Sequence, residues 1–128
     1  MLLGRLKNLT SIKIFGNWGE KRCEKFLNKK GLKTLTRNFL CKTGEIDLIM
    51  LDSDGTIVFV EVKTRKSEDF TPAENALTYP KKSRMLKAAT YFLSKNKIEN
   101  RPCRFDFVTI VNDNKNEIIN HYPNAFTP

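Results

Sequence analysis

Residues 44–65 read GEIDLIMLDSDGTIVFVEVKTR, and the reading of this stretch decides the fold. Two apolar runs, 46–51 and 57–62, flank Asp52-Ser53-Asp54-Gly55. Short runs rich in Ile, Val and Phe, bounded by Asp and Gly, form the two strands of a hairpin. Nearly every position in them is hydrophobic, which covers both faces and places the pair centrally in its sheet. Four charges stand out against that background: Glu45, Asp47, Glu61 and Lys63.

Loop length decides whether those charges meet. Side chains alternate faces along a strand, so Glu61 and Lys63 share one, as do Glu45 and Asp47. A three-residue loop, Ser53-Asp54-Gly55, puts Gly55 at the left-handed position that such loops favour. Asp52 then pairs with Thr56, Asp47 lies opposite Glu61 and Glu45 opposite Lys63. A two- or four-residue loop would send Asp47 and Glu61 to opposite faces. The placement of the glycine favours the first register.

Two carboxylates opposite one another in a sheet repel, and burial raises the cost of ionising both. A hard divalent cation bound through oxygen compensates, and Mg²⁺ commonly takes one or two carboxylates plus a substrate phosphate. Lys63, on the same face, can then orient a water or stabilise developing negative charge. The plainer alternative is a structural salt bridge between Lys63 and one acid at a solvated strand end.

A longer string of residues adds to this. Trp18-Gly19-Glu20, Asn38, Gly44-Glu45-Ile46-Asp47-Leu48-Ile49, Val58-Phe59-Val60-Glu61-Val62-Lys63-Thr64-Arg65, Arg104-Phe105-Asp106 and Asn124-Ala125-Phe126 stand in the order seen in the YraN (UPF0102-type) family. The Asp, loop, Glu-x-Lys core resembles the signature of the PD-(D/E)XK nucleases. The YraN proteins are small bacterial relatives of archaeal Holliday-junction resolvases, and the likeness covers residues 16 to 126. It implies a restriction-endonuclease-like fold. It also implies that Glu20 is a helix-borne acid of the site and that the Val62 carbonyl is a further metal ligand. Junction resolvases work as dimers, so a homodimer is among the expectations, although no unambiguous dimer surface is legible.

The 128 residues suffice for one domain with a real core. No apolar run approaches the ~20 residues that a membrane span needs, and the first five residues are too short and too soon charged for a secretory signal. Cys23, Cys41 and Cys103 form no Cys-x-x-Cys pair and fit neither a disulfide framework nor a zinc site. They point to free thiols in a cytoplasmic protein. Net charge is +9 and unevenly spread: residues 1–43 carry +9, 44–80 carry −5 and 81–128 carry +5. An acidic centre between basic flanks suits a metal site within a phosphate-binding surface, though lysines that merely solubilise the domain would give the same total.

Along the chain, residues 1–15 read as a loosely ordered basic arm and 16–128 as a single nuclease-like domain. Residues 17–30 read as a helix capped by Asn17 and closed by Gly31, burying Trp18, Cys23, Phe26 and Leu27. Glu20 borders that buried face, while Glu24 turns toward solvent. The plainer reading of Glu20 is a surface acid favoured by the helix dipole. Residues 32–38 read as an edge strand and 40–44 as a turn. Residues 64–70 read as a polar segment beside the site, and Thr71-Pro72-Ala73-Glu74 as a capping box. Residues 80–96 read as the main later helix, with a core stripe of Leu86, Ala89 and Leu93 and with Met85, Ala88 and Phe92 alongside. Residues 105–111 and 117–122 read as two further strands joined by a turn at 112–116, with Asp106 interrupting an apolar run. Lys42, Arg65, Lys81, Lys82, Arg84 and Lys87 are the candidate phosphate contacts.

These readings converge on an α/β sandwich with a mixed central sheet flanked by helices on both faces. The expected activity is Mg²⁺- or Mn²⁺-dependent hydrolysis of DNA phosphodiesters, on branched or structured DNA. Asp47, Glu61 and Glu20 would hold the metal and Lys63 would serve the chemistry. The alternative is a nucleic-acid-binding module on the same fold without turnover.

Overall fold

The structure, a computed structural model, describes residues 10–66, 73–113 and 116–128. The elements run α1 (Thr10–Lys29), β1 (Lys33–Cys41), β2 (Gly44–Leu51), β3 (Ile57–Lys66), the single turn α2 (Ala73–Ala76), α3 (Tyr79–Lys95), β4 (Cys103–Asp113) and β5 (Asn116–Phe126). The five strands form one sheet in the order β1-β2-β3-β4-β5. Only β3 and β4 are parallel, because α2 and α3 carry the chain back between them. The other neighbours are antiparallel. The protein is thus an α/β sandwich with a mixed central sheet, as the hydrophobic pattern requires.

Each face of the sheet has its own core. Against α3 pack Ile46, Ile49, Ile57, Phe59, Phe105 and Phe107, with Met85, Ala88, Ala89 and Phe92 from the helix. Against α1 pack Leu48, Met50, Val58, Val60, Val108 and Ile110, with Cys23 and Leu27 from that helix. The central pair β2 and β3 therefore has both faces covered. Its loop takes the expected register: Leu51 pairs with Ile57 and Leu48 with Val60, Gly55 has φ +91°, and its amide donates to the Asp52 carbonyl at 3.0 Å.

Several boundaries differ from the sequence reading. α1 begins at Thr10, not at Asn17, so residues 10–15 belong to the helix and not to an arm. A glycine inside a helix costs only about 1 kcal/mol relative to alanine, so Gly16 does not end it. Residues 1–9, the remainder of that arm, lie outside the described residues, as do 67–72, including Thr71 and Pro72 of the capping box. β1 runs to Cys41, which pairs with Gly44, so the turn is only Lys42-Thr43. The buried stripe of α3 is Met85, Ala88, Ala89 and Phe92, with Leu86 and Leu93 only partly buried. The stripe is rotated by one residue because Met85 and Phe92 point at the aromatic side of the sheet. The helix is capped by Thr78, whose hydroxyl accepts from the Lys81 amide.

Strand alternation breaks midway along β2, and the site lies there. Ile46 and Ile49 are three apart yet pack in the same core, while Leu48 faces the other. Regular pleating would separate them. The pairing of β1 with β2 passes from Arg37↔Leu48 to Phe39↔Ile46, and Asn38, between them, has φ +49°. Asn tolerates this left-handed conformation better than most residues. The kink at Asn38 and Asp47 lets both strands swap faces midway.

Candidate active site

At the kink the β2–β3 ladder stops. Its last pair is Leu48↔Val60, and the next residue, Asp47, accepts a hydrogen bond from the Val62 amide through its carboxylate at 2.8 Å. A side chain has taken the place of a backbone acceptor, and this holds Asp47 against β3 beside Glu61. Glu61 in turn pairs with Phe107 of β4 and receives Lys81 Nζ from the first turn of α3 at 3.4 Å.

Two close approaches seat the helices here. At Gly44 an added Cβ would run into the carbonyl of Arg84, so glycine lets the β1–β2 hairpin lie against α3. At Gly19 an added Cβ would meet the methyl of Thr64, so glycine lets α1 lie on β3 and brings Glu20 to the acidic pair.

The electrostatics follow from this crowding. Burial, then the charge of Glu61, pushes the Asp47 carboxyl well above its ordinary range, against the Val62 amide and Lys81. Burial likewise raises Glu61, opposed chiefly by Lys81. Since a hydrogen bond from Asp47 also acts on Glu61, the two titrate as one unit. Glu20 is pushed up to about 7 by burial and by the charges of Asp47 and Glu45. Asp47, Glu61, Glu20 and Glu45 thus share one negative field, although among the described residues no three such side chains already form a metal-holding cluster. Lys63 is half-buried two residues along β3, paired with Thr109.

The expected phosphate contacts divide. Lys42, Arg84 and Lys87 are exposed, and Thr43 and Lys87 line one groove, so the β1–β2 turn and α3 present a joint basic surface. Lys82 is half-buried, with its ammonium over the Phe126 ring of β5. Arg65 differs from the expected exposed cation: it is 7% exposed and paired with Val111 inside the sheet. Lys81 also differs from the expectation, since its ammonium serves Glu61. A signal existed for it. Two lysines in the first turn of α3, with no acid there, oppose the helix dipole and so point to an outside partner.

Asp106 lies apart from this group. Fully buried, it accepts from Arg104 Nε at 3.1 Å, from the Asn124 amide at 2.9 Å and lies 2.8 Å from His121 Nε2. Arg104 continues to Asp52 at 2.9 Å. Burial pushes the Asp106 carboxyl up, but the bonds to His121, Asn124 and Arg104 outweigh it and hold the group low. This network clamps β4, β5 and the hairpin loop, which accounts for an acid in an apolar strand.

The family model described as "Uncharacterised protein family UPF0102" matches residues 19–110, which span Glu20, the kink, the acidic pair and Lys81. The chain belongs to the UPF0102 family. A UPF0102 protein of Caldicellulosiruptor saccharolyticus is 44% identical over 113 residues, 87% of this chain and 95% of that one. One of Pseudomonas fluorescens is 41% identical, covering 87% and 91%. One of Bifidobacterium longum is 38% identical, covering 94% and 98%. Among solved structures, a chain of "Structure of EndoMS-dsDNA2 complex" is 28% identical, with 58% of this UPF0102 chain and 26% of that chain covered and a TM-score of 0.34. Among the described residues of this UPF0102 protein, no helix is long and apolar enough to cross a membrane.

Proposed function

We propose that the protein is a metal-dependent endonuclease that hydrolyses DNA phosphodiesters, with branched or structured DNA as its substrate class. One observation carries the reading: the carboxyls of Asp47 and Glu61 are thrown together where the β2–β3 ladder ends, in a setting that resists ionising both.

The donor set fits a hard divalent cation such as Mg²⁺ or Mn²⁺. It is all oxygen, acidic and crowded. Asp47 and Glu61 would hold the ion, with Glu20 and the Val62 carbonyl as further donors. When bound, the ion supplies a polarised phosphate and a water of lowered pKa. The chain's own groups do the rest. Lys63 would orient the attacking water or offset charge on the phosphoryl oxygens. Lys81, relieved of Glu61, would meet the same phosphate. Lys42, Lys82, Arg84 and Lys87 would seat the flanking backbone, and Glu45 would deepen the field that attracts the cation.

The test is cleavage of supercoiled and four-way-junction DNA with Mn²⁺. Wild type should cut and Glu61→Gln should not; identical behaviour of the two rejects catalysis by this site. A second reading has an observation of its own. The Lys81–Glu61 pair already neutralises part of the acidic charge, as a module that only binds nucleic acid would need. That reading requires salt-sensitive DNA binding that is unchanged by Mn²⁺ and survives loss of Asp47 and Glu61.

A further inference from the structure

Next to the acidic pair is a pocket that the hydrolytic chemistry does not use. Its volume is about 380 Å³, and Leu77, Lys82, Phe107, Tyr122, Pro123 and Ala125 are among its lining residues. Its place in the sheet is given by pairing. Glu61 is the partner of Phe107 on β4, and Phe107 is the partner of Tyr122 on β5. Neighbouring strands lie about 4.8 Å apart, so the pocket begins one strand from Glu61 and ends two strands away. The same turn of α3 serves both places, since Lys81 reaches Glu61 while its neighbour Lys82 lines the pocket.

We propose that this pocket receives one unstacked nucleobase of the strand whose phosphate lies at Asp47 and Glu61. The inference rests on the nuclease reading for the position of that phosphate and deepens it, by naming unpaired bases as the feature recognised. Three properties select this occupant. The walls offer a flat surface: Tyr122 stacks on Phe107 with ring centroids 6.1 Å apart and planes at 28°, and the tyrosine remains 40% exposed. Pro123 adds an apolar wall. The rim offers a cation, Lys82, held 5.7 Å above the Phe126 ring and suited to a phosphate on the far side of the base. The floor lies in an irregular stretch of an edge strand. The β4–β5 register shifts between Phe105↔Phe126 and Phe107↔Tyr122, so residues 123–125 stand opposite Asp106 alone, and bulged backbone carries polar groups that can meet a base edge. A volume near the lower end of the roughly 300–1,000 Å³ usual for ligand pockets suits one base and excludes a stacked duplex. A base must therefore leave its stack to enter, which is easiest at a junction, a mismatch or a single strand.

The experiment reads binding, not cleavage, in Glu61→Gln protein without divalent metal, so a failure of the hydrolytic reading leaves it interpretable. The probes are a short single-stranded oligonucleotide with 2-aminopurine at one position and the same strand abasic there. Base–aromatic stacking implies roughly tenfold or tighter binding of the base-bearing strand, with quenched 2-aminopurine emission. Adding Tyr122→Ala should abolish both the preference and the quench. Lys82→Ala should weaken both strands equally and flatten the salt dependence. Equal affinity for the two strands, or a preference that survives Tyr122→Ala in folded protein, overturns the proposal.

Discussion

The ammonium of Lys81 lies 3.4 Å from Glu61 Oε2, so a lysine from the first turn of α3 stands where a cation bound by the acidic pair would place its charge. The Glu61 side chain is 14% exposed and that of Lys81 34%, so solvent screens the pair only in part. The arrangement resembles a stopper: it makes the crowded carboxyls tolerable, and a divalent ion taken up by the pair would have to displace it.

Removing the stopper separates its two effects. Lys81→Met should lower the stability of metal-free protein by about 1 kcal/mol, discounted for the exposure of the lysine. It should also raise Mn²⁺ affinity, because the ion no longer competes with an ammonium. Chemical denaturation and calorimetric Mn²⁺ titration check the two signs. Loss of affinity together with loss of stability would show that Lys81 supports the site and does not compete for it.

Glu20 sets a pH dependence. Its carboxyl titrates at about 7 in the folded protein against 4.5 ordinarily. Between those values the folded chain holds a proton that the unfolded chain has released. Stability therefore falls as pH rises from about 4.5 to 7 and is level above. Glu20→Gln should flatten that part of the profile in urea-unfolding midpoints. Under the proposed function metal binding would run the other way: it would expel the proton, so Mn²⁺ affinity should climb as pH passes through about 7. A profile with the same slope in Glu20→Gln would assign the titration to Asp47 and Glu61 alone.

How much of this was legible beforehand depends on the range of the forces involved. The hairpin register follows from Gly55, because a left-handed residue in a short loop is a local requirement, and the identities of the central strands follow from their composition. The face swap at Asn38 and Asp47 was not readable. A strand with φ +49° at a non-glycine residue persists only through its neighbours, and the apolar pattern of 46–51 is too continuous to betray a lost alternation. The start of α1 was misplaced for a related reason, since one glycine is a weak breaker beside tertiary packing. Arg65 looked like a phosphate contact because charge is easily taken for exposure, whereas parallel pairing with Val111 carries it inside.

The Asp106 network should govern acid stability. Its carboxyl is held below the ordinary range, so its contribution is present above the unfolded value and is lost as pH falls through the lower folded one. Asp106→Ala leaves Arg104, with a side chain 22% exposed, short of one partner, and should cost about 3 kcal/mol, the lower end for breaking a buried pair. Thermal melts at neutral and at acid pH should converge, with the variant and wild type differing less once Asp106 is protonated. Because neither Asp47 nor Glu61 is among the hydrogen-bond partners of this network, Mn²⁺ affinity of the folded variant should be unchanged.

The last expectation concerns the seat of α1. An alanine methyl at position 19 would press on the methyl of Thr64, next in sequence to Lys63. Overpacking of this kind typically costs about 1–3 kcal/mol, and here relief by lifting α1 would carry Glu20 away from Asp47. Gly19→Ala should therefore both destabilise the protein and return the Glu20 carboxyl toward its ordinary range, visible as a shallower pH profile. Adding Thr64→Ser removes the offending methyl and leaves the hydroxyl and Cβ, 3.2 and 3.4 Å from the new Cβ, so the double variant should recover most of both losses. Recovery of stability without recovery of the pH profile would mean that Glu20 owes its raised proton affinity to something other than its approach to the acidic pair.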